Sequence, residues 1–539
     1  MVELRINLLI FLTFIMLIIF SDSFYINNYL KSRNMVKKLH MCDKRTSSIK
    51  NNSLGGRSVM KKVRWSDERK EEYKSNKKLR SNVSKHDKLR GNGKQPRSAD
   101  SWDILLEKFD NTKNKKDSIG KLQIVKEDSL TDDLNCEHYD VCSGCSRKSN
   151  FDSTISVTRA KRFFQSENIE IQTHLGPIHG WRTHVKLAVR PLSRWGGLKF
   201  GLYKENSHEL EPIPNCKVHH PRINEAVEVL RVAATDAGVS GYEHANKGRR
   251  SQGDLRYIQM SLERHTNKIQ VVLVWNAEEY KDSEQSLPRL MKLLKKRPDL
   301  FHSVTLNFNP TKANNIFNYQ PKSWKLLWGP PLLKEKVGYA SFLFRPQIFR
   351  QANLDAFEKG IIPLVGKSVP EGAKIAELYS GLGILGLNAA VYAQASEVLC
   401  SDTNEYVDEV FDRAADSLPK EYREKVFFEN APADIAVELG QLEDAECLIV
   451  DPPRKGLDPV VIDALLDRDQ TPVLSRIIYI SCGYDALERD ARLLLDSGLW
   501  QVVSADGFLL FPGSDHLETV AVFERTKQKK KLSRDREER

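Results

Sequence analysis

Between Gln351 and Glu518, short apolar runs lead one after another into residues fit for chemistry, and no other feature of the chain restricts its fold as tightly. IAELYSGLGILGL passes from an apolar run through glycines into a helical pattern, and VLCSD ends on Asp402. CLIV leads into DPPRKG at Asp451, and IIYIS leads into Cys482. Unbroken apolar runs are what strands covered on both faces require, and their alternation with helical stretches makes a parallel sheet. Ligands collect at the carboxyl ends of such strands. An α/β, Rossmann-like domain is therefore expected, with the residue after each run on one shared edge.

Gly381, Gly383 and Gly386 allow a tight turn and a close backbone approach to a ligand. Asp402 lies nineteen residues beyond Gly383, a spacing at which a carboxylate holds ribose hydroxyls. Both features fit a dinucleotide and S-adenosylmethionine equally. DPPRKG separates them, because its prolines fix an extended turn beside Asp451 for which a dehydrogenase has no use. A methyltransferase of exocyclic amines would carry an aromatic residue after the prolines to stack on the base, where this chain has Arg454. Cys482 supplies what methylation of a pyrimidine carbon needs: uracil C5 is a poor nucleophile until a thiolate adds at C6. A base must then take the C5 proton, and Glu518 in the apolar setting HLETVAVF is the candidate, its pKa raised by burial. Gln351 and Asn353 in FRQAN either hold cofactor or base, or cap a helix. Cys400 and Cys447 sit inside apolar runs as packing residues.

Upstream, CEHYDVCSGC sets Cys136, Cys142 and Cys145 close together, and Cys216 follows in PIPNCKVHHP. Three close thiols and one distant one suit a [4Fe-4S] cluster or zinc, and His138, His219 and His220 would permit a mixed zinc site. Eight cysteines scattered in this way do not make a disulfide scaffold. From 169 to 335, alternating runs mix with two helical stretches, which reads as an α+β layer of antiparallel strands with helices to one side. Trp181, Arg182, Lys186, Arg190, Arg194, Trp195, Lys199, Lys204, Arg249, Arg250 and Arg256 interleave basic and aromatic character there. A sheet facing RNA has that composition, and so does a solvated strand face.

A net charge of +11 over 539 residues favours an anionic partner, nucleic acid first, although much of the Lys and Arg lies in the N-terminal third and the tail. Leu8 to Phe20 is an apolar run short for a membrane span and suited to the core of a signal peptide. Asn27 to Arg97 has few large apolar residues and is expected to be unfolded. Together they resemble the two-part targeting sequence of proteins sent to a plastid bounded by extra membranes. Plain secretion, a membrane anchor and a misplaced start are the alternatives.

CEHYDVCSGC with Cys216, F-x-P-x-x-F-x-Q-x-N from Phe344 to Asn353, ELYSGLG, DPPRKGLD, YISCGYDALERD and HLETV together resemble the RNA uracil-5 methyltransferase family. These are bacterial enzymes that make 5-methyluridine in 23S ribosomal RNA or in transfer RNA, and the resemblance runs from Cys136 to about Glu524. It implies a Rossmann-like S-adenosylmethionine-dependent methyltransferase domain over 340–525, preceded by an α+β RNA-binding domain over 169–335. Ahead of these stand a signal-like segment (1–23), a disordered leader (24–97), and a linker with the cysteine region (98–168); a basic tail (526–539) follows. By the same resemblance Gln351, Tyr379, Asp402 and Asp451 contact S-adenosylmethionine, Cys482 is the nucleophile and Glu518 the proton acceptor. Cys136, Cys142, Cys145 and Cys216 hold a [4Fe-4S] cluster, with zinc as the alternative, and Arg454 steadies the site near the base.

Two departures stand out. Gly483 follows the nucleophile where the family commonly has Asn, and residues 98 to 135 are too few and too polar for the small β-barrel that many members carry ahead of the cluster. The central domain should therefore do most of the RNA gripping. Ribosomal RNA is expected over transfer RNA, because the transfer-RNA branch typically lacks the cysteines. RNA cytosine-5 methylation and a catalytically silent RNA-binding factor are the other readings. A monomer is expected, without lasting membrane attachment once the leader is removed.

Overall fold

The computed structural model describes residues 73–74, 133–193, 196–244, 251–280, 286–311 and 315–527. The signal-like segment, residues 98–132, the tail from 528 and nearly all of the leader lie outside them. Tyr73, in the stretch read as unfolded, is helical: its ring packs edge-on against Phe427 at 5.8 Å and its hydroxyl donates to Asp412 at 2.5 Å. A single aromatic residue finds an apolar edge there despite its polar surroundings.

The helix Ile155–Ser166 opens on Thr154, whose side chain accepts from the Val157 N–H, and buries Val157, Ala160, Phe163 and Phe164. Strand β1 (Gln172–Leu175) follows. The central domain then runs through β2 (His184–Ser193), β3 (Gly196–Tyr203), β4 (Leu210–Pro212), β5 (Leu255–Glu263), β6 (Lys268–Trp275), β7 (Phe301–Phe308) and β8 (Trp324–Trp328). Its sheet has the order β4-β3-β2-β5-β6-β7-β8 and is antiparallel except for the parallel pair β6 and β7. A parallel pair needs a crossover, which the helix Leu287–Leu294 supplies. This helix and Pro221–Asp236 share one core with β2, β3, β5, β6 and β7, so both cover the same face.

A hairpin of β9 (Leu333–Val337) and β10 (Ala340–Phe344) leads onward. Its Glu335 is 1% exposed and accepts from Arg264 at 2.8 Å and from Arg350 at 2.6 Å, linking the central domain to the segment ahead of the last domain. The last domain contains β11 (Lys374–Leu378), β12 (Glu397–Ser401), β13 (Val426–Glu429), β14 (Cys447–Val450), β15 (Arg476–Ser481), β16 (Trp500–Leu509) and β17 (Glu518–Arg525). The order is β1-β16-β17-β15-β14-β11-β12-β13. Strands β11 to β15 run parallel, and β17 is inserted antiparallel between β15 and β16.

The domain boundary drawn at 169 differs from what the chain does. β1 pairs in parallel with β16, and the helix Ile155–Ser166 packs its apolar face into the same core as β14, β15 and β16. Residues 155 to 175 are thus part of the catalytic sheet, and the central domain is inserted after them. The chain winds outward from β11 through β12 to β13 on one side and through β14 to β15 on the other. The switch point therefore falls between β11 and β14, where the glycine loop and DPPRKG emerge together.

Candidate active site

At the switch point the glycine loop leaves β11 through Tyr379, whose φ is +59°. Gly381 (φ +53°) has nothing within 4 Å of where a Cβ would stand, so its surface is open to a ligand. Gly383 and Gly386 serve packing instead: a Cβ at the first would strike Phe411 and at the second Glu377 and Cys400. Asp402 holds this loop, accepting from the Gly381 N–H at 2.9 Å and from the Asn404 N–H at 2.9 Å. The Tyr379 hydroxyl donates to Asp458 at 3.0 Å and accepts from the Asp458 N–H at 3.1 Å, which ties the glycine loop to the DPPRKGLD turn. Beneath it lies Glu377, to which the sequence reading gave no role. Burial raises its carboxyl to about 8, and it accepts from the Gly386 N–H and the Cys400 thiol, each at 3.0 Å. An acid inside the apolar run IAEL was the available signal.

β15 and β17 bring the other half of the site together. Their ladder pairs Ser481 with Thr519, so one step further along places Cys482 opposite Glu518. The reversed direction of β17 is what puts its first residue at the edge where the parallel strands end. Asp451 follows Val450 on the neighbouring β14. Burial holds the Asp451 carboxyl above the usual range, and burial followed by the Asp451 charge does the same at Glu518, where Arg454 opposes it. The Cys482 thiol is pushed up to about 11, first by burial and then by Glu518 and Asp451, with Arg454 again opposing.

Cys482, Glu518, Arg454 and Gln351 line one cleft of about 1140 Å3. Its other walls come from the cysteine loop, through Ser143 and Ser146, and from the central domain, through Arg182, Lys186 and Tyr319. Tyr379, Asp402 and Asp451 do not line it; they stand at the strand-end crevice, with Asn404 between. Asn353 is committed elsewhere: it caps the helix Leu354–Ala356 by accepting from the Ala356 N–H at 3.2 Å and donates to the Leu510 carbonyl at 2.7 Å.

The DPPRKG turn is clamped from the helix Tyr484–Asp496 that follows Cys482. Asp490, 1% exposed, accepts from the Leu457 N–H at 2.9 Å and the Tyr479 hydroxyl at 2.8 Å, while Arg489 donates to the Lys455 carbonyl at 2.7 Å. Gly456 (φ +86°) is required, since a Cβ there would strike both side chains. Gly483 faces the same turn: a Cβ at 483 would lie 3.1 Å from the Arg454 carbonyl oxygen.

Cys136, Cys142, Cys145 and Cys216 ring a separate cavity of about 130 Å3. Burial and then the Cys216, Cys142 and Cys136 thiols raise Cys145 to about 12. Among the described residues no three His, Cys, Asp or Glu side chains close on one metal-ion position. His138 pairs with the Pro214 carbonyl at 2.7 Å, His219 with Asn224 at 3.2 Å, and His220 caps the helix Pro221–Asp236. The loop is fastened to the catalytic domain, where the N–H groups of Ser146 and Arg147 both donate to the Gly513 carbonyl at 2.7 and 3.0 Å.

The basic and aromatic residues of the central domain divide. Lys186 and Arg182 reach the cleft. Trp181 is buried against Phe511 with Arg182 over its ring, so it is not free to stack on a base. Arg190 and Arg256 are buried beside tyrosine rings, Lys204 pairs with Glu209, and Arg194, Trp195, Arg249 and Arg250 lie outside the described residues.

No family model matches the chain. It is 36% identical over 395 residues to an uncharacterized RNA methyltransferase of Protochlamydia amoebophila, covering 73% of this chain and 98% of that one. A second such relative, from Halalkalibacterium halodurans, is 25% identical over 408 residues, with 72% and 82% covered. Among solved structures, the tRNA (uracil-54, C5)-methyltransferase of Pyrococcus abyssi in complex with S-adenosyl-L-homocysteine matches with a TM-score of 0.55 at 23% identity, over 71% of this chain and 86% of that one. The fold is thus that of an S-adenosylmethionine-dependent methyltransferase. With the motifs, the strand-end site and the Protochlamydia relative in agreement, the chain is an RNA methyltransferase and belongs to the RNA uracil-5 methyltransferase family.

Proposed function

We propose that this enzyme methylates C5 of a uridine in RNA, with Cys482 as nucleophile and Glu518 as base. The carrying observation is that both residues line one cleft from opposing positions on β15 and β17, with Arg454 beside them. The Cys482 thiolate adds to C6, and the displaced electron pair moves onto O4 as an enolate. S-adenosylmethionine supplies the electrophilic methyl group that C5 takes. Glu518 then accepts the C5 proton, and the pair released re-forms the C5–C6 double bond and expels the Cys482 sulfur. Burial and the neighbouring carboxylates favour the thiol in the free enzyme and Arg454 favours the thiolate, so the thiol proton leaves to solvent through the cleft before C6 is attacked, and Glu518 enters the cycle as the carboxylate.

The crevice fits the cofactor. Gly381 leaves the loop open, and the helix Ile384–Tyr392 begins at Gly383 without a cap from that residue; with the Gly386 N–H taken by Glu377, the first N–H groups suit a carboxylate. Tyr379, Asp402, Asp451 and Gln351 are the proposed contacts, Tyr379 through its ring, since its hydroxyl is occupied. The similarly folded Pyrococcus protein, named for uracil C5 and carrying S-adenosyl-L-homocysteine, supports the reading. The ring of four thiols about one cavity supports a [4Fe-4S] cluster held by Cys136, Cys142, Cys145 and Cys216. Ribosomal RNA is proposed as substrate on the strength of that ring, and a plastid as compartment on the targeting-like leader.

RNA containing 5-fluorouridine, incubated with enzyme and cofactor, should be trapped covalently, because fluorine cannot leave C5 as a proton does. The adduct should vanish in Cys482→Ala; no adduct with the unaltered enzyme would overturn the mechanism. Comparing 5-methyluridine in plastid RNA with and without the gene identifies the substrate.

A further inference from the structure

We propose that the corner of the cleft formed by Lys186, Phe317 and Tyr319 is a subsite for the nucleotide adjoining the methylated one, its base stacked on Tyr319 and its phosphate held by Lys186. The inference rests on the reading of Cys482 as a nucleophile toward an RNA base.

To reach a thiol inside a cleft, a base must leave its stack, and its neighbour then loses a stacking partner. A ring at the rim restores that contact. Tyr319 is 53% exposed although it lines the same cleft as Cys482, and few large hydrophobic side chains of the described residues are as open. It is also fixed. Phe317, 4% exposed, meets it edge-on with centroids 6.2 Å apart and rests in turn on Trp324 at 5.3 Å. The Tyr406 hydroxyl donates to the Tyr319 carbonyl at 3.2 Å, pinning the corner to the loop that carries Asp402 and Asn404. An exposed aromatic ring on a braced backbone is a ready platform for a splayed base, losing little entropy on binding.

Lys186 supplies the charge. It projects from β2 with its ammonium 5.1 Å from the Phe317 ring centroid, and no carboxylate of the described residues offsets its charge. Of the cationic side chains that line the cleft, Arg182, Lys186 and Arg454 face two carboxylates, Asp515 and Glu518, while the charge of Arg350 is taken up by Glu335. An exposed ring and an unpaired ammonium, both resting on Phe317, match one nucleotide, a base with its phosphate.

The test uses the full-length enzyme and a single-stranded RNA oligomer with one 5-fluorouridine, alongside oligomers abasic at one or the other flanking position. Tyr319→Ala should weaken binding about tenfold and Tyr319→Phe should restore it. One abasic flank should cost the unaltered enzyme a similar factor and cost Tyr319→Ala almost nothing further. Lys186→Gln should lower the slope of log affinity against log salt by about 0.7, the value of one single-strand phosphate contact. Undiminished affinity in Tyr319→Ala, or an abasic penalty that persists in full in that variant, overturns the subsite. Adduct formation by the unaltered enzyme reports separately on the uracil reading, so the two can fail independently.

Discussion

Cys482, the proposed nucleophile, is kept quiet in the free enzyme. Half-buried beside two carboxylates, it is held up to about 11, and the free enzyme therefore carries a thiol rather than a thiolate at neutral pH. Because the pKa is raised, the thiolate fraction in the free protein climbs with pH through the whole range below 11. Alkylation of Cys482 by iodoacetamide should accordingly keep rising from pH 7 to 10, by somewhat less than tenfold per unit where Glu518 ionises, without the levelling-off from about pH 9 of an ordinary cysteine. Glu518→Gln removes the nearer like charge and should speed alkylation at pH 9. A plateau below pH 9, or no acceleration in Glu518→Gln, would show that the carboxylates do not restrain the sulfur. Cys482, Glu518 and Asp451 were legible in the sequence because each directly follows or begins an apolar run, and a strand end fixes where its next residue goes. Glu377 showed only as an acid inside an apolar run, and its partners, the Gly386 N–H and the Cys400 thiol, like those of Asp490, the Leu457 N–H and the Tyr479 hydroxyl, lie on segments that only the fold brings together.

At the scale of elements, the site depends on a turn that has no strand or helix of its own to hold it. DPPRKG is kept in place by its neighbours: Tyr379 grips Asp458 from the glycine loop, and Asp490 and Arg489 grip Leu457 and Lys455 from the helix behind Cys482. Cofactor crevice, turn and nucleophile are thus fastened to one another through side chains. Asp490→Ala would leave the Leu457 N–H and the Tyr479 hydroxyl buried without an acceptor, a loss of about 3 kcal/mol. The same change should lower kcat at least tenfold with little change in KM, because Asp451 and Arg454 shift against Cys482, and Asp490→Asn should recover part of both. Equal stability loss with unchanged kcat would reduce Asp490 to a purely structural residue. The parallel strands of the last domain were foreseeable from the alternation of apolar runs with helical stretches. The entry of β1 was not, because Gln172 to Leu175 lacks a strong strand pattern and gains its place only by pairing with β16, more than three hundred residues later.

Over the whole molecule, the inserted arrangement lets a distant loop support Glu518, the proposed base. The cysteine loop precedes the central domain in sequence, yet its Ser146 and Arg147 N–H groups close on Gly513, in the connection between β16 and β17 that delivers Glu518. Trp181 and Phe511 pack in the same small core as Cys136, Cys145 and Cys216, so thiol ring and connection share one core. Gly513 is the point of contact: its φ of +100° favours glycine, and a Cβ there would stand 3.1 Å from the Cys145 sulfur. Gly513→Ala should therefore cost about 1–2 kcal/mol of stability, read as a fall in Tm, and loosen the approach of the cysteine loop. In the proposed mechanism Glu518 acts after the nucleophile, so its displacement should leave adduct formation with 5-fluorouridine RNA largely intact while slowing turnover on the uridine substrate. That separation distinguishes a misplaced base from a damaged fold, in which trapping and turnover would fall together.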